Sequence, residues 1–407
     1  MINRLAVKGF KSFRDVTVHL GGLNLFVGTN ASGKSNFFDA LRVLQGIGNG
    51  FTVSEILDGK PRSATSEVWE GIRGGSAKAC FEGADQLETF SITAAGRLSV
   101  GKATRRWEYS VSVSPSRSHV ERESLEYGGR SIYDSRYADR GGVGSPVLKV
   151  EYQHGGRGRP RHLPFERSRP VLRQFEGANR VESQHGAFAA RVANVLADMQ
   201  RVDPAPTILR DYAQAGQVAR MGEHGENFAA LVRGICADPD AEAGYLEWLR
   251  ELRPAEVDSV ATLSGAVGEP LFMLREGGRE FPAPVLSDGT LRFAAIAAAF
   301  FQPDMPRIMT IEEIENGIHA SRTRLILELL RANAEAGSTQ ILATTHSPAV
   351  LAWLEPPEYA TTHLCRRDQD TGEATITRLR DVPGFGDVAR DHSLGDLFTE
   401  GWLEASW

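Results

Sequence analysis

The stretch Gly28-Thr29-Asn30-Ala31-Ser32-Gly33-Lys34-Ser35 decides the fold, because it fits the phosphate-binding pattern G-x-x-x-x-G-K-[ST]. Before it, residues 23–27 (LNLFV) form an apolar run that predicts a short buried strand. After it, Phe37, Phe38 and Leu41 recur at the spacing of one helix face. Strand, glycine-rich loop and helix stand in the order that this pattern requires, so the chain is predicted to bind a nucleoside triphosphate.

A bound triphosphate needs backbone N–H donors, a helix N-terminus, a lysine and a metal ion. Lys34 is expected to reach the β- and γ-phosphates, and the Ser35 hydroxyl to ligate Mg²⁺. ATP and Mg²⁺ are therefore the predicted cofactors. The residues of this loop that we expect to bind the nucleotide are Asn30, Ala31, Ser32, Gly33, Lys34, Ser35 and Asn36.

Two glutamates, Glu312 and Glu313, follow a second apolar run at residues 308–311. If this run is a strand of a parallel sheet, both side chains emerge at the carboxyl edge, where phosphate loops also lie in such folds. Glu312 is then expected to hold Mg²⁺, and Glu313 to orient or deprotonate the attacking water. The alternative is two solvated acids in a surface turn. The phosphate loop elsewhere in the chain favours the catalytic interpretation.

Two further motifs accompany the acids. His346, in Thr344-Thr345-His346-Ser347-Pro348, follows a third apolar run and is expected to donate a hydrogen bond to the γ-phosphate or the attacking water. Leu286-Ser287-Asp288-Gly289-Thr290 opens a predicted helix, with Ser287 or Asp288 as its cap. This motif either only caps the helix or uses Ser287 and the N–H groups of Asp288 and Gly289 to bind a second phosphate. Spacing does not decide between them.

The composition is that of an ordinary globular protein large enough for two lobes. The chain has 407 residues and a formal net charge of -6, which argues against a uniformly basic coat but allows a local basic patch. No apolar stretch approaches the roughly 18 residues that cross a bilayer, and no signal segment opens the chain. Its cysteines, Cys80, Cys236 and Cys365, are far apart, so a reducing cytoplasm is expected.

Along the chain we predict an α/β fold in three parts. Residues 1–160 form an N-terminal ATPase lobe with a hairpin at 3–20 and a β-rich subdomain. Residues 161–282 form an arginine-rich segment and a helical insertion, with helices at 187–200, after an Asn227 cap, and at 241–252. Residues 283–407 form a C-terminal lobe with a parallel sheet and a late hairpin. No sustained heptad pattern is present, which excludes a long coiled coil.

The order of motifs resembles the ATP-binding-cassette (ABC) ATPases, in the branch that contains the chromosome-maintenance (SMC) ATPases, RecF and the overcoming-lysogenization-defect (OLD) nucleases. The opening Gly9-Phe10-Lys11-Ser12-Phe13 is similar to the start of that branch. Residues 312–319 (EEIENGIH) are similar to the Glu-Glu-Pro-Glu-Asn-Gly-Leu-His run of compact bacterial members, and residues 345–348 to their switch-histidine motif. The resemblance covers roughly residues 1–45 and 283–355.

The resemblance implies the head of an ABC ATPase and a mechanism. Two heads would dimerise head to tail around two ATP molecules, so that Ser287 acts on the nucleotide of the partner. Glu313 would be the catalytic base, His346 the γ-phosphate sensor and Lys34 a further catalytic residue. The chain departs from the family at two positions. Glu312 stands where the family usually has the Walker B aspartate, and Asp288 stands where the signature motif, which Leu286 to Thr290 resembles, usually has a glycine or serine. Gln153 is the candidate for the glutamine loop.

Three functions remain open. The first is an ATPase subunit, in phage defence or DNA repair, that gates a separately encoded nuclease of the TOPRIM type. The chain itself is not expected to cut DNA, since its tail offers only Asp368, Asp370 and Glu373 in a hairpin turn. The second is a RecF-like repair clamp without a nuclease. The third is a nucleotide-dependent scaffold with negligible turnover, which the two departures keep open.

An arginine-dense stretch is the candidate for contact with a nucleic-acid backbone. The alternative is a solvated loop, since proline and glycine interrupt it and no aromatic ladder accompanies it. Its arginines are Arg157, Arg159, Arg161, Arg167, Arg169, Arg173 and Arg180.

Overall fold

The computed structural model describes residues 1–60, 69–83, 87–100, 103–135, 145–152, 160–179, 181–252 and 257–405. The chain divides into two compact units that interleave along the sequence. Unit 1 comprises residues 1–21, 28–199 and 363–378, and unit 2 comprises residues 22–27, 200–362 and 379–407. The predicted division at 160 and 282 stays a prediction.

Unit 1 is built on a large antiparallel sheet whose strands follow the order β2-β1-β4-β5-β6-β7-β8-β9. These strands are β1 (Ile2–Phe10), β2 (Phe13–His19), β4 (Phe90–Val100), β5 (Ala103–Ser114), β6 (His119–Tyr127), β7 (Arg130–Asp134), β8 (Val147–Tyr152) and β9 (Arg161–Glu166). The pairing of β1 with β2 confirms the predicted N-terminal hairpin. The late hairpin is also confirmed, as β16 (Thr362–Arg367) against β17 (Ala374–Arg378).

The helices of unit 1 pack around the helix that follows the phosphate loop. They are α1 (Lys34–Gly48), α2 (Val53–Asp58), α3 (Val171–Glu176) and α4 (Ser183–Ala197). α1 contacts α2, α3 and α4. Gly48 lets α1 approach α4 closely, because a Cβ there would lie 2.3 Å from the Ala197 nitrogen.

Unit 2 contains a run of adjacent strands, three of which lead into the sequence motifs. In the order β10-β14-β15-β3, the run comprises β10 (Met199–Val202), β14 (Ile308–Ile311), β15 (Gln340–Thr345) and β3 (Leu23–Val27). The pairs β14–β15 and β15–β3 are parallel, as predicted from the apolar runs. Since all three strands point the same way, their carboxyl ends meet at one edge.

The rest of unit 2 combines an antiparallel sheet with helices. The sheet is β11 (Val257–Ser264), β12 (Pro270–Glu276) and β13 (Arg279–Pro282). The helices are α5 (Pro206–Leu209), α6 (Phe228–Ile235), α7 (Pro239–Leu252), α8 (Asp288–Ala299), α9 (Thr323–Glu335), α10 (Pro348–Leu351), α11 (Phe385–Val388), α12 (Leu394–Thr399) and α13 (Trp402–Ala405). α8 is buried from Thr290 to its end.

Two local predictions are corrected. The helix expected at 187–200 begins at Ser183 and ends at Ala197, and its expected last residues instead open β10. Asn227 stands at the N-cap position just before α6, but its side chain does not cap the helix. Its amide instead accepts from the Gly222 N–H at 2.8 Å and donates to the Arg220 carbonyl at 3.0 Å, which ties the preceding loop together. Among the described residues, no helix is long and apolar enough to cross a membrane.

Candidate nucleotide-binding site

The phosphate loop of unit 1 closes around its own lysine. The Lys34 Nζ donates to the Gly28 carbonyl at 2.6 Å and to the Thr29 carbonyl at 2.8 Å, and the residue is 7% exposed. Lys34 and Ser35 begin α1, so the helix N-terminus faces the loop as the motif requires. The ammonium group is therefore held where phosphate oxygens are bound in such loops.

Backbone shape explains the two glycines of the motif. A Cβ on Gly28 would lie 2.3 Å from the Cys365 carbonyl oxygen, and one on Gly33 would lie 2.8 Å from the Ala374 Cβ. Gly33 has φ of 103° and Ala31 has φ of 67°, so the loop turns through conformations that side chains disfavour. The loop is thus constrained to a tightly turned backbone, which the Ser32 N–H reinforces by donating to the Thr29 carbonyl at 3.3 Å.

The other loop residues offer polar groups of the right kind. The Ser32 Oγ is buried and has no hydrogen-bond partner among the described residues, which suits a ligand oxygen. Asn30 and Ala31 are exposed at the loop tip, and Asn36 donates to the Ser12 Oγ at 2.7 Å. Asn36 thereby links α1 to the turn between β1 and β2.

A basic cleft of about 410 Å³ lies beside this turn in unit 1. Its cationic residues are Lys11, Arg73, Lys78 and Arg367. Lys11 forms a short ion pair with Asp39 of α1, and Arg73 reaches the same carboxylate at 3.4 Å. Burial lowers the pKa of Lys11, although Asp39 opposes that shift. Sequence analysis assigned no role to Arg73, because its partner Asp39 is distant in the sequence.

In unit 2, Glu312 and Glu313 leave the carboxyl end of β14, as predicted. Glu313 has φ of 49°, a region that non-glycine residues seldom occupy. Thr344 of β15 holds this turn: its Oγ1 accepts from the Glu313 N–H at 2.8 Å, and its carbonyl accepts from the Ile314 N–H at 3.1 Å. The two carboxylates are half-buried.

Two arginines that sequence analysis missed surround the end of β14. The Arg201 Nη2 lies 3.2 Å from the Glu312 Oε1, and its Nη1 lies 2.8 Å from the Glu223 Oε1. Arg292 of α8 donates to the Glu312 carbonyl at 2.9 Å and pairs with Asp203 at 3.2 Å. These contacts join α8 and β14 to β10, which lies about a hundred residues earlier in the sequence and shares no local motif with them.

His346 lies just past β15, next to a third glutamate. The Glu315 Oε1 accepts from the His346 backbone N–H at 2.7 Å and lies 3.2 Å from the ring Nδ1. The His346 side chain is 44% exposed, whereas that of Glu315 is 9% exposed. The backbone of His346 is therefore fixed while its ring faces outward.

The motif at 286–290 caps α8 through Ser287. The Ser287 Oγ accepts from the Thr290 N–H at 3.2 Å, and the Asp288 carboxylate pairs with Arg210 at 2.6 Å. A Cβ on Gly289 would lie 2.2 Å from the Gly317 carbonyl oxygen, so the helix start touches the loop after the acids. A cavity of about 470 Å³ opens there, lined by Ser287, Gly289, Gly317, His319 and Arg322 among others.

The described arginines of the arginine-dense stretch, Arg161, Arg167, Arg169 and Arg173, differ in their exposure. Arg157, Arg159 and Arg180, together with the glutamine-loop candidate Gln153, lie outside the described residues. Arg167 is 3% exposed and pairs with Glu121 at 3.3 Å, so its charge is used within unit 1. Arg173 donates to the Gly48 carbonyl at the end of α1, and Arg169 is half-buried. In the described part of the stretch, Arg161 is exposed.

The residues predicted to bind Mg²⁺ suit that ion. Glu312 offers a carboxylate and Ser35 a hydroxyl, and Mg²⁺ prefers hard oxygen ligands together with nucleotide phosphates. The buried Ser32 Oγ and the lysine in the phosphate loop fit the phosphates themselves. The individual roles of these residues stay predictions.

Comparison with known proteins agrees with this chemistry. A family model described as "AAA domain, putative AbiEii toxin, Type IV TA system" matches residues 246–352, and one described as "AAA ATPase domain" matches residues 1–59. A protein of Helicobacter pylori named ATP/GTP phosphatase is 22% identical over 381 residues, which cover 87% of this chain and 88% of that protein.

Two solved structures share the fold. One is an SMC head bound to the C-terminal winged-helix domain of ScpA, with 13% identity, a TM-score of 0.53 and coverage of 92% of this chain and 96% of that one. The other is an SMC head with an extended coiled coil from Pyrococcus furiosus, bound to the C-terminal domain of ScpA, with 11% identity, a TM-score of 0.52 and coverage of 96% and 99%. The predicted fold class is confirmed.

These matches also confirm the resemblance drawn from the sequence motifs. The chain is similar to ABC-type ATPases of the SMC, RecF and OLD branch, and the family models and the Helicobacter pylori relative support nucleotide hydrolysis.

Proposed function

We propose that the protein hydrolyses ATP in a Mg²⁺-dependent reaction. The observation that carries this proposal is the shared edge of β3, β14 and β15 in unit 2. The chain continues from Val27 into the phosphate loop, from Ile311 into the two glutamates, and from Thr345 into His346. Three parallel strands thus deliver the elements of phosphoryl-transfer chemistry to one edge.

Each residue then has a role. Lys34 neutralises the β- and γ-phosphates, and Ser35 and Glu312 hold Mg²⁺, which would offset the negative charge that develops on the phosphate oxygens. Glu313 orients the attacking water and takes its proton. His346 donates a hydrogen bond toward the γ-phosphate.

We further propose that two copies associate head to tail around ATP. The N-terminus of α8, capped by Ser287, adjoins an open cavity lined by residues of the loop after the acids. A helix N-terminus beside a cavity of this size suits the γ-phosphate of a partner's nucleotide. Asp288, paired with Arg210, adds a negative charge at this surface, so the departure from the usual glycine or serine is expected to weaken association.

The biological role that we propose is an ATPase subunit that gates a separate nuclease in bacterial defence against phage. The match to the family model whose description names a putative toxin of a toxin–antitoxin system is compatible with a role in defence. A RecF-like repair clamp and a scaffold with low turnover remain the alternatives. In a pull-down with the protein as bait, recovery of a nuclease would favour the gated nuclease over the repair clamp. Equal ATPase rates for wild type and Glu313→Ala would favour the scaffold.

The proposed contact with DNA is testable at Arg161, which is exposed on β9. Arg161→Glu is expected to reduce the slope of log affinity against log salt by about one, as for the loss of a phosphate contact. Arg167→Glu is unsuitable, because that residue is buried. An unchanged slope would remove this face from the proposal.

The deciding experiment is light scattering of Glu313→Gln with and without Mg-ATP, alongside the wild-type ATPase rate. The substitution keeps the shape of the side chain but removes the base, so it should trap an ATP-bound dimer. Glu247→Gln, an exposed glutamate of α7, is the control and should hydrolyse ATP like wild type. If Glu313→Gln is monomeric under both conditions, the proposed ATP-bound dimer is contradicted. If the wild-type protein has no ATPase activity, the proposed hydrolysis of ATP is contradicted.

A further inference from the structure

Arg201 forms ion pairs with three carboxylates, which lie in separate loops of unit 2. Its Nη2 lies 3.2 Å from the Glu312 Oε1 beyond β14, and its Nη1 lies 2.8 Å from the Glu223 Oε1. The side chain of Glu312 is 12% exposed and that of Arg201 is 27% exposed. Water therefore screens this pair only in part, and the attraction exceeds that of a surface pair.

The backbone around this pair is held separately. Arg292 donates to the carbonyls of Glu312 and Pro204, each at 2.9 Å, and its guanidinium also pairs with Asp203. Arg201 approaches Asp203 at 3.7 Å. Arg292 thus binds the main chain at the end of β14, whereas Arg201 binds the carboxylate. The two arginines are not redundant.

We propose that Arg201 is a built-in competitor of Mg²⁺ for the carboxylate of Glu312. This inference rests on the proposed function, in which Glu312 holds the metal. A guanidinium remains charged at all relevant pH values, so Arg201 and a divalent cation repel each other at this carboxylate. Glu223 allows the exchange, because Arg201 keeps that partner when it releases Glu312. The contact therefore holds the acid in place before the nucleotide arrives and raises the Mg²⁺ concentration needed afterwards.

The test is the Mg²⁺ concentration that half-saturates binding of a fluorescent, non-hydrolysable ATP analogue at equilibrium. Arg201→Met keeps much of the side-chain volume and removes the charge. It should lower this concentration about three- to tenfold, the range expected for loss of a partly screened charge pair. Arg201→Lys retains a charge and should stay within about twofold of wild type.

Arg220→Met is the matched control. Arg220 is also 27% exposed in its side chain, and it pairs with the carboxylate of Asp304 at 3.0 Å, away from Glu312. Its substitution should leave the Mg²⁺ requirement unchanged. An unchanged or higher requirement in Arg201→Met would overturn the proposal, and a higher one would show that Arg201 orients Glu312 for the metal. If wild type binds no analogue at any Mg²⁺ concentration, the proposed function itself fails.

A second measurement needs no nucleotide, and it tests the ion pair even if one of the variants above folds poorly. In a double-mutant cycle with Arg201→Gln and Glu312→Gln, each of which removes one charge of the pair, the shifts in urea midpoint should be clearly non-additive if the two side chains interact. The same cycle with Arg220→Met and Glu312→Gln should be additive. Additivity in the first cycle would show that the ion pair does not form in solution and would overturn the inference.

Discussion

At the scale of single residues, Thr344 determines how Glu313 leaves its strand. The φ of 49° at Glu313 is a conformation that costs about 1–3 kcal/mol and persists only where neighbours impose it. Thr344 imposes it by accepting hydrogen bonds from two successive backbone N–H groups. The role of the glutamate is predictable from its local motif, but that of the threonine is not, because the hydrogen bond joins the ends of neighbouring strands that are 31 residues apart in the sequence.

Glu315 is predicted to position His346 for catalysis. Glu315→Ala removes the acceptor of the His346 backbone N–H. We expect kcat for ATP hydrolysis to fall about tenfold, less than the roughly 10²- to 10³-fold loss for removing a positioned donor outright, because the His346 ring itself remains; KM should change less than about twofold. Glu315→Gln keeps an acceptor oxygen and should retain most of the activity. Steady-state kinetics check this, and equal losses in both variants would contradict a positioning role.

Gly289 is predicted to be intolerant of a side chain. Its Cβ would lie 2.2 Å from the Gly317 carbonyl oxygen, so Gly289→Ala should destabilise the protein by about 1–3 kcal/mol. Gly234→Ala is the matched control, because this glycine of α6 has no atom within 4 Å of a Cβ and should gain about 0.5–1 kcal/mol. Urea denaturation measures both, and a stable Gly289→Ala would contradict the close approach.

At the scale of elements, a buried glutamate joins β6 to α3. The Glu123 side chain accepts hydrogen bonds from the Tyr109 and Tyr133 hydroxyls and from the Val171 and Leu172 N–H groups. Burial raises the pKa of Glu123 to about 7, although these four donors favour the charged form. α3 is thereby tied to the large sheet through its first turn.

This glutamate predicts a pH dependence of stability. A carboxyl whose pKa is raised on folding contributes stability below its unfolded value of 4.5, and this contribution is lost as pH rises through about 7. The loss in the free energy of unfolding between pH 4.5 and 8 should be at most about 3 kcal/mol. Urea denaturation of wild type and Glu123→Gln measures it as the difference between their pH profiles. Parallel profiles would contradict the raised pKa.

Local sequence predicts the elements whose signals are local. β3, the phosphate loop and α1 follow one another without interruption, so strand, turn and helix signals support each other. β11, β12 and β13 received no strand prediction, because antiparallel pairing rather than a motif defines them. The helix expected to reach residue 200 ended early, since apolar residues at Met199 and beyond serve β10 equally well. Arg201 was missed for a related reason: its partners come from other strands and loops.

At the scale of the whole molecule, unit 2 depends on a strand from far upstream in the sequence. Ile341 to Thr345 pair with Leu23 to Val27 along the full length of β3. A fragment of residues 200–407 therefore keeps β14 but lacks β3, the other neighbour of β15. The six residues of β15 are all buried. An unpaired apolar edge of this kind favours aggregation.

We predict that this fragment aggregates when expressed alone and that residues 22–27, joined to its start by a flexible linker, restore a monomer. Restoration follows because the added strand supplies the missing backbone partners of β15. Leu25→Asp in the added segment is the control and should fail, since Leu25 is buried. Size-exclusion chromatography distinguishes the forms. A monomeric, cooperatively unfolding fragment without the segment would contradict the dependence.

The same pairing has a consequence for synthesis on the ribosome. Val27 is translated early, but its partner strand is complete only at Thr345. At about 5–20 residues per second, β3 waits roughly 15 to 60 s for that partner. During this interval the nascent chain carries the apolar strand and the phosphate loop without their final neighbours. Folding of unit 2 therefore cannot be completed before Thr345 is translated, and nascent chains that stall between these strands are expected targets for chaperones.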